Sequence, residues 1–133
     1  MKLGNARIAN IEETNQRIFN NGQRITRAIL GNVNWDVITG EKIDSKAFFS
    51  CGVIEMQKGG EIAAHSHKTR EEIYYIISGV GEVTVDNKTV TLQPGTAIWF
   101  PSEAEHRIFN PNKKPLIVYF TTATTKPGHM AHG

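Results

Sequence analysis

His65 and His67 stand two apart in the chain, and Glu72 follows five residues after the second. In an extended segment, residues i and i+2 share a face, so the two imidazoles point the same way. Glu72 opens the run EIYYII, and a short turn at Lys68 to Arg70 brings its carboxylate back toward them. A third imidazole, His106, opens the run HRIFN after a second Gly-to-Pro turn. Three neutral imidazoles and one carboxylate converging in a β framework suit a divalent first-row transition metal, whether iron, manganese, nickel, cobalt, copper or zinc. An H-x-H pair alone is a weak signal, so the reading depends on the framework bringing all four donors together.

That framework is legible from Arg24 onward. RITRAIL, KAFFSCGVIEM, EIYYII, GEVTVDNKTVTL, TAIWF, HRIFN and PLIVYFTTA are short β-branched and aromatic runs separated by Gly, Pro, Asn and Asp, which predicts an all-β chain. GEVTVDNKTVTL reads as a hairpin: Asp86-Asn87 tolerates the left-handed backbone of a tight turn, and Val83, Val85, Val90 and Leu92 alternate with polar residues. Gly79 to Gly81, Pro94-Gly95 and Asn110-Pro111 interrupt the neighbouring runs at the spacing of a sandwich or barrel. IYYII and LIVYF are apolar on both faces, so one face fills the barrel and the other meets a second sheet, the N-terminal arm or another subunit. A homodimer is the expected partner, symmetric dimers being the commonest oligomers. Residues 1–22 scatter Ile8, Ile11 and Ile18 among Asn, Glu and Gln, a weak helical pattern that predicts a helix or coil arm. The division expected is an arm with leading strands over 1–45, a barrel over 46–122 and a flexible tail over 123–133.

Composition narrows the partners. A chain of 133 residues fits one domain, and a formal charge of +2, spread rather than blocked, leaves no nucleic-acid footprint. Cys51 is the one cysteine, so an internal disulfide is excluded and a reducing, cytoplasmic compartment is expected. The N-terminal stretch lacks the apolar core of a signal peptide, and the longest apolar runs span five residues, too short for a membrane helix.

Two longer stretches carry a resemblance. GGEIAAHSHKTREEIYYIISG, from Gly59 to Gly79, resembles the first motif of the cupin superfamily, and GTAIWFPSEAEHRIFN, from Gly95 to Asn110, resembles the second, with fifteen residues between Gly79 and Gly95 as in compact microbial members. The resemblance spans roughly residues 48–122 and implies a double-stranded β-helix, or jelly roll, of the small single-domain cupin type. It also implies His65, His67, Glu72 and His106 as metal ligands. Its spacing from the glutamate to Gly79 selects Glu72 over Glu71, and alternation then places Glu72, Tyr74 and Ile76 toward the barrel. One position departs from the pattern: Glu103 stands where these motifs usually have glycine, which predicts a more ordinary backbone at that turn.

Around the ligands, Tyr74, Ile76 and Ile108 are expected to line a largely apolar pocket, with Tyr74 a candidate proton donor. Trp99 and Phe100, adjacent on one strand, must face opposite ways, so one of them enters the pocket. Glu71 is expected on the rim near Arg70, and Cys51 as a small buried hydrophobe. Arg24 and Arg27 are candidates for an anionic substrate or a dimer contact. His129 and His132, in the tail, are expected to be solvent-exposed. Cupins host dioxygenases, decarboxylases, isomerases, lyases and binding modules, so fold alone leaves the reaction open. The expectation is a metal-dependent enzyme acting on a small organic molecule, with dioxygenase-type oxidation the narrowest form and a noncatalytic metal or small-ligand module the alternative.

Overall fold

The computed structural model describes residues 1–35 and 40–126. Among the described residues, alternating short runs of β-branched and aromatic residues give thirteen strands in chain order: β1 (Lys2–Leu3), β2 (Ala6–Arg7), β3 (Arg17–Phe19), β4 (Arg24–Asn32), β5 (Glu41–Ile43), β6 (Phe48–Met56), β7 (Glu61–His65), β8 (Arg70–Ser78), β9 (Gly81–Val85), β10 (Lys88–Leu92), β11 (Ala97–Phe100), β12 (His106–Phe109) and β13 (Leu116–Thr124). A larger sheet runs β11-β8-β13-β6-β4-β3, with β5 added parallel to β4, and a smaller one runs β10-β9-β12-β7. Crossovers between distant strands produce the jelly roll that the motifs imply. Period-2 alternation does the rest: Tyr74 and Ile76 on β8, Val83 on β9, Phe100 on β11, Ile108 on β12 and Leu116, Val118 and Phe120 on β13 pack into one core between the sheets. Removing each such side chain from water contributes about 1.5–3 kcal/mol.

The turns follow the residues assigned to them. Asp86 and Asn87 sit at φ 47° and 69°, the left-handed pair that lets β9 and β10 twist together, and Val85 pairs with Lys88 across the turn. Gly79, at φ 80°, lies so close to the β13 approach that an added Cβ would stand 2.3 Å from the Pro115 carbonyl oxygen. Asn110, directly after β12, is fully buried, its amide donating to the carbonyls of Met56 and Lys114 while its Oδ1 accepts from the Asn112 N–H. Those bonds replace what a turn forfeits by leaving the ladder.

The N-terminal arm differs from its expectation. Residues 1–22 form no α-helix; β1 pairs with β2, 3-10 turns occupy Ile11–Glu13 and Asn20–Gly22, and β3 extends the larger sheet by pairing with β4. The apolar residues were too sparse for a helical stripe, and edge pairing to β4 satisfies the backbone instead. At the other end, β13 continues to Thr124, two residues past the expected barrel limit. His129 and His132 lie outside the described residues. Among the described residues no helix is long and apolar enough to cross a membrane.

Candidate metal centre

The two sheets contribute different donors to one point. His65 closes β7 and pairs directly with His106, which opens β12, so the smaller sheet presents two imidazoles side by side. His67 follows β7 by two residues, and its ring stands edge-on to that of His65 with centroids 4.6 Å apart. Glu72 comes from the larger sheet, on β8, paired with Phe100 on one side and Thr122 on the other. One ligand atom from each of His65, His67, Glu72 and His106 lies within 4.8 Å of all the others. Glu71, next in sequence, points outward and accepts a hydrogen bond from the Trp99 indole Nε1–H at 2.8 Å. Adjacent residues on a strand face opposite sides, which separates the two glutamates completely.

The rings are held before any ligand arrives. His65 and His106 each donate Nδ1–H to the carbonyl two residues earlier, Ala63 at 2.8 Å and Ala104 at 3.0 Å, which turns both Nε2 atoms toward the centre. Phe100 stacks on His106 at 4.3 Å between centroids, and so Phe100 is the aromatic that faces inward while Trp99 stays exposed. Arg70 donates Nη2–H to His67 Nδ1 at 2.7 Å, leaving His67 Nε2 on the side of Glu72. The expectation of Arg70 near Glu71 on the rim is thereby corrected: alternation along β8 turns Arg70 inward with Glu72.

Charge is distributed unevenly. Burial raises the Glu72 carboxyl, but the hydrogen bond from His106 at 2.8 Å and the neighbouring His67 and Arg70 outweigh it, so the group is held below the ordinary carboxylate range. Burial opposes a charge on His106, yet the same hydrogen bond and the Ala104 carbonyl raise it above an ordinary histidine. His67 goes the other way, pushed down to about 4 by burial and then by the Arg70 guanidinium. His65 is lowered mainly by burial. An ionised carboxylate with His65 and His67, which resist protonation, and His106, which would yield its Glu72-bound proton to an ion, form a donor set that fits a divalent transition metal, whose ligands must be unprotonated.

Tyr74 lies one strand period beyond Glu72, 3% exposed, with Phe100 packed edge-on at 5.1 Å. Burial and then the adjacent Glu72 carboxylate raise its phenol well above the usual range, so the hydroxyl keeps its proton. Ile76 and Ile108 are buried in the same core and do not line the cavity beside the cluster, which carries three guanidiniums and so is not the largely apolar pocket expected. Cys51 is only half-buried, on the outer side of β6 beside Tyr119, rather than in the core as expected, because Gly52 and Ser50 take the inward positions. Glu103 also departs from its expectation. It keeps the left-handed backbone, φ 70°, that a glycine would adopt freely, and its N–H donates to the His67 carbonyl at 2.6 Å. The turn before His106 thus fastens the backbone of His67, at a conformational cost of about 1–2 kcal/mol.

Sequence reasoning overlooked the arm's contribution. Arg17 and Phe19 on β3 join Arg24, Arg70, Glu72 and Tyr74 around a cavity of about 160 Å3 beside the cluster. No spacing rule links residues 17–19 to residue 72; the only signal was the Arg24 already singled out on β4.

A family model described as Cupin domain matches residues 52–122. The uncharacterized protein MJ1618 of Methanocaldococcus jannaschii is 40% identical over 58 residues, covering 44% of this chain and 46% of that protein. The mannose-1-phosphate guanylyltransferase of Klebsiella pneumoniae is 34% identical over 70 residues, 53% of this chain but 15% of its own length. The chain therefore spans less than half the length of these curated relatives. Among solved structures, a predicted oxalate decarboxylase from Thermotoga maritima superposes with a TM-score of 0.72 at 20% identity, covering 89% of this chain and 99% of that one. The Schizosaccharomyces pombe Cnp3 cupin domain gives 0.67 at 22% identity, covering 86% and 72%. At those identities the likeness is one of fold.

Proposed function

The chain belongs to the cupin family, and from that premise we propose that it is a metal-dependent enzyme acting on a small organic molecule inside its barrel. The observation that carries the reading is the placement of Glu72, which sits within the four-donor cluster and also lines the adjoining cavity, so a bound ion and a bound substrate would share a wall. His65, His67, Glu72 and His106 are the residues that would hold the ion. A divalent transition metal in a six-coordinate site retains open positions and supplies Lewis-acid polarisation of a carbonyl or carboxylate, or activation of dioxygen or water. The chain's own part is to fix the imidazoles through Ala63, Ala104 and Phe100, and to keep a proton at the Tyr74 hydroxyl for delivery to substrate. Dioxygenase-type oxidation is the narrowest form of this proposal. Decarboxylation, isomerisation and lyase chemistry share the same requirements, and the likeness to a predicted oxalate decarboxylase and to part of a mannose-1-phosphate guanylyltransferase keeps them beside it.

The noncatalytic alternative has its own support, because four protein donors are enough to close a tetrahedral zinc site. Cobalt substitution separates the two. An enzyme site is expected to give weak, octahedral visible bands that shift when oxalate is added, followed by oxygen uptake with one of a panel of carbonyl, phenolic or thiol compounds. An intense tetrahedral spectrum that ignores every small anion places the binding module in front.

A second copy of the chain is proposed as the partner of the larger sheet's outer face, where Ile73, Tyr75, Ile77 and Trp99 are each at least 43% exposed. Sedimentation equilibrium is expected to give a dimer that the double substitution Tyr75→Glu, Ile77→Lys converts to monomer; a wild-type monomer throughout the concentration series overturns this.

A further inference from the structure

We propose that the cavity beside the four-donor cluster is an anion subsite in which Arg24 seats the carboxylate of a small organic acid. The proposal rests on the enzyme reading above and specifies its substrate class.

Three guanidiniums, from Arg17, Arg24 and Arg70, line this cavity against the single carboxylate of Glu72, which is already engaged by His106. Neither Arg17 nor Arg24 forms an ion pair among the described residues. The two stand near one another over the same ring, Arg24 at 3.7 Å and Arg17 at 5.1 Å from the Phe19 centroid. Arg17 and Arg24, each without a carboxylate of its own, repel one another, and Arg24 also bears the cost of desolvation; an anionic guest offsets both penalties.

Arg24 is held as a receptor would need it. Its guanidinium sits over the Phe19 ring, and Nη1 makes a long hydrogen bond of 3.3 Å to the Glu61 carbonyl. Its Nε is buried with no hydrogen-bond partner. A carboxylate accepts two parallel N–H bonds from a guanidinium edge, which would satisfy that donor. The register makes the placement structural: Phe19 pairs with Arg24 and Arg17 with Thr26, so the β3–β4 hairpin turns all four inward. Arg27, the other candidate on β4, falls on the opposite face by alternation, and Ala28 after it is core.

Size and lining select the guest. A cavity of about 160 Å3 is well below the ~300 Å3 at which drug-sized pockets begin, so the occupant has few heavy atoms. Ile54, Ile62 and Phe120 complete the wall, suiting a short carbon skeleton between the carboxylate at Arg24 and the reacting group at the cluster.

Titration calorimetry with malonate, inorganic phosphate and neutral malonamide tests this on the full chain, cobalt-loaded and chelator-stripped. Malonate is expected to bind more tightly than phosphate, and malonamide not at all. Arg24→Gln should weaken malonate roughly tenfold or more, Arg24→Lys should recover part of the loss, and Arg27→Gln should change nothing. Equal effects of Arg24→Gln and Arg27→Gln, tighter binding of phosphate, or malonamide binding as well as malonate each overturn the proposal. Malonate binding that needs cobalt but ignores Arg24 overturns it while leaving the metal reading intact. Arg24-dependent binding by protein that takes up no cobalt supports the subsite and removes the metal reading. Urea denaturation of each variant separates lost binding from lost fold.

Discussion

Glu72→Gln is expected to strip the protein of metal, whereas Glu71→Gln is expected to leave its metal content near that of the wild type. The two residues are neighbours of identical chemistry, so sequence position alone cannot separate the outcomes. Geometry does: Glu72 Oε2 lies 2.8 Å from His106 Nε2 and Oε1 lies 3.7 Å from His67 Nε2, while Glu71 is spent on the Trp99 indole outside the barrel. Glutamine keeps the shape but offers a neutral oxygen in place of an anionic one, and its NH2 group presents donors to imidazole nitrogens that must themselves bind a cation. Perturbing only the residues behind metal ligands costs about 10–100-fold in affinity, so replacing a ligand should cost about 100-fold or more. Elemental analysis of purified protein and competition against a chelating dye measure the difference. Equal retention by the two variants would remove Glu72 from the proposed ligand set.

The sequence and the structure agree where local periodicity decides the answer. His65 and His67 share a face because strands repeat every two residues, and the Asp86-Asn87 turn forms because those side chains tolerate left-handed backbone. Trp99 and Phe100 show the limit. Alternation states that they oppose one another, but only the position of β11 against β8, with Phe100 opposite Glu72, tells which enters the site. Glu103 shows a different limit. Side-chain preference predicted a relaxed turn, and the hydrogen bond to the His67 carbonyl overrides it because the barrel fixes both ends. The arm was least legible, since edge pairing of β3 onto β4 is a long-range gain that three residues with one exposed isoleucine do not announce. The proposed anion subsite depends on that pairing, and so only its Arg24 was visible beforehand.

Metal-free protein is expected to lose stability as the pH is lowered from about 6.5 to about 4, and His67 is the main reason. Its imidazole titrates at about 4 in the folded chain and near 6.5 when unfolded, so across that window the unfolded chain takes up a proton that the native state refuses. At about 1.4 kcal/mol for each pH unit between the two values, the loss reaches up to about 3 kcal/mol at the acid end. His65, also lowered by burial, adds in the same direction. His106 opposes them: held up by Glu72, its contribution is fully present below 6.5 and fades as pH rises through its folded value. Glu72 acts lower still, its stabilisation being lost only as pH falls through a value below the ordinary carboxylate range. The His67 shift is the large one among the three imidazoles and sets the net loss. Urea denaturation of chelator-treated protein at a series of pH values reads it directly, and His67→Gln, which removes the refused proton, should flatten the decline. A metal-free wild type whose unfolding free energy holds level or rises between pH 6.5 and 4 would show that His67 is protonated at an ordinary value. Its burial beside Arg70 would then carry no such penalty.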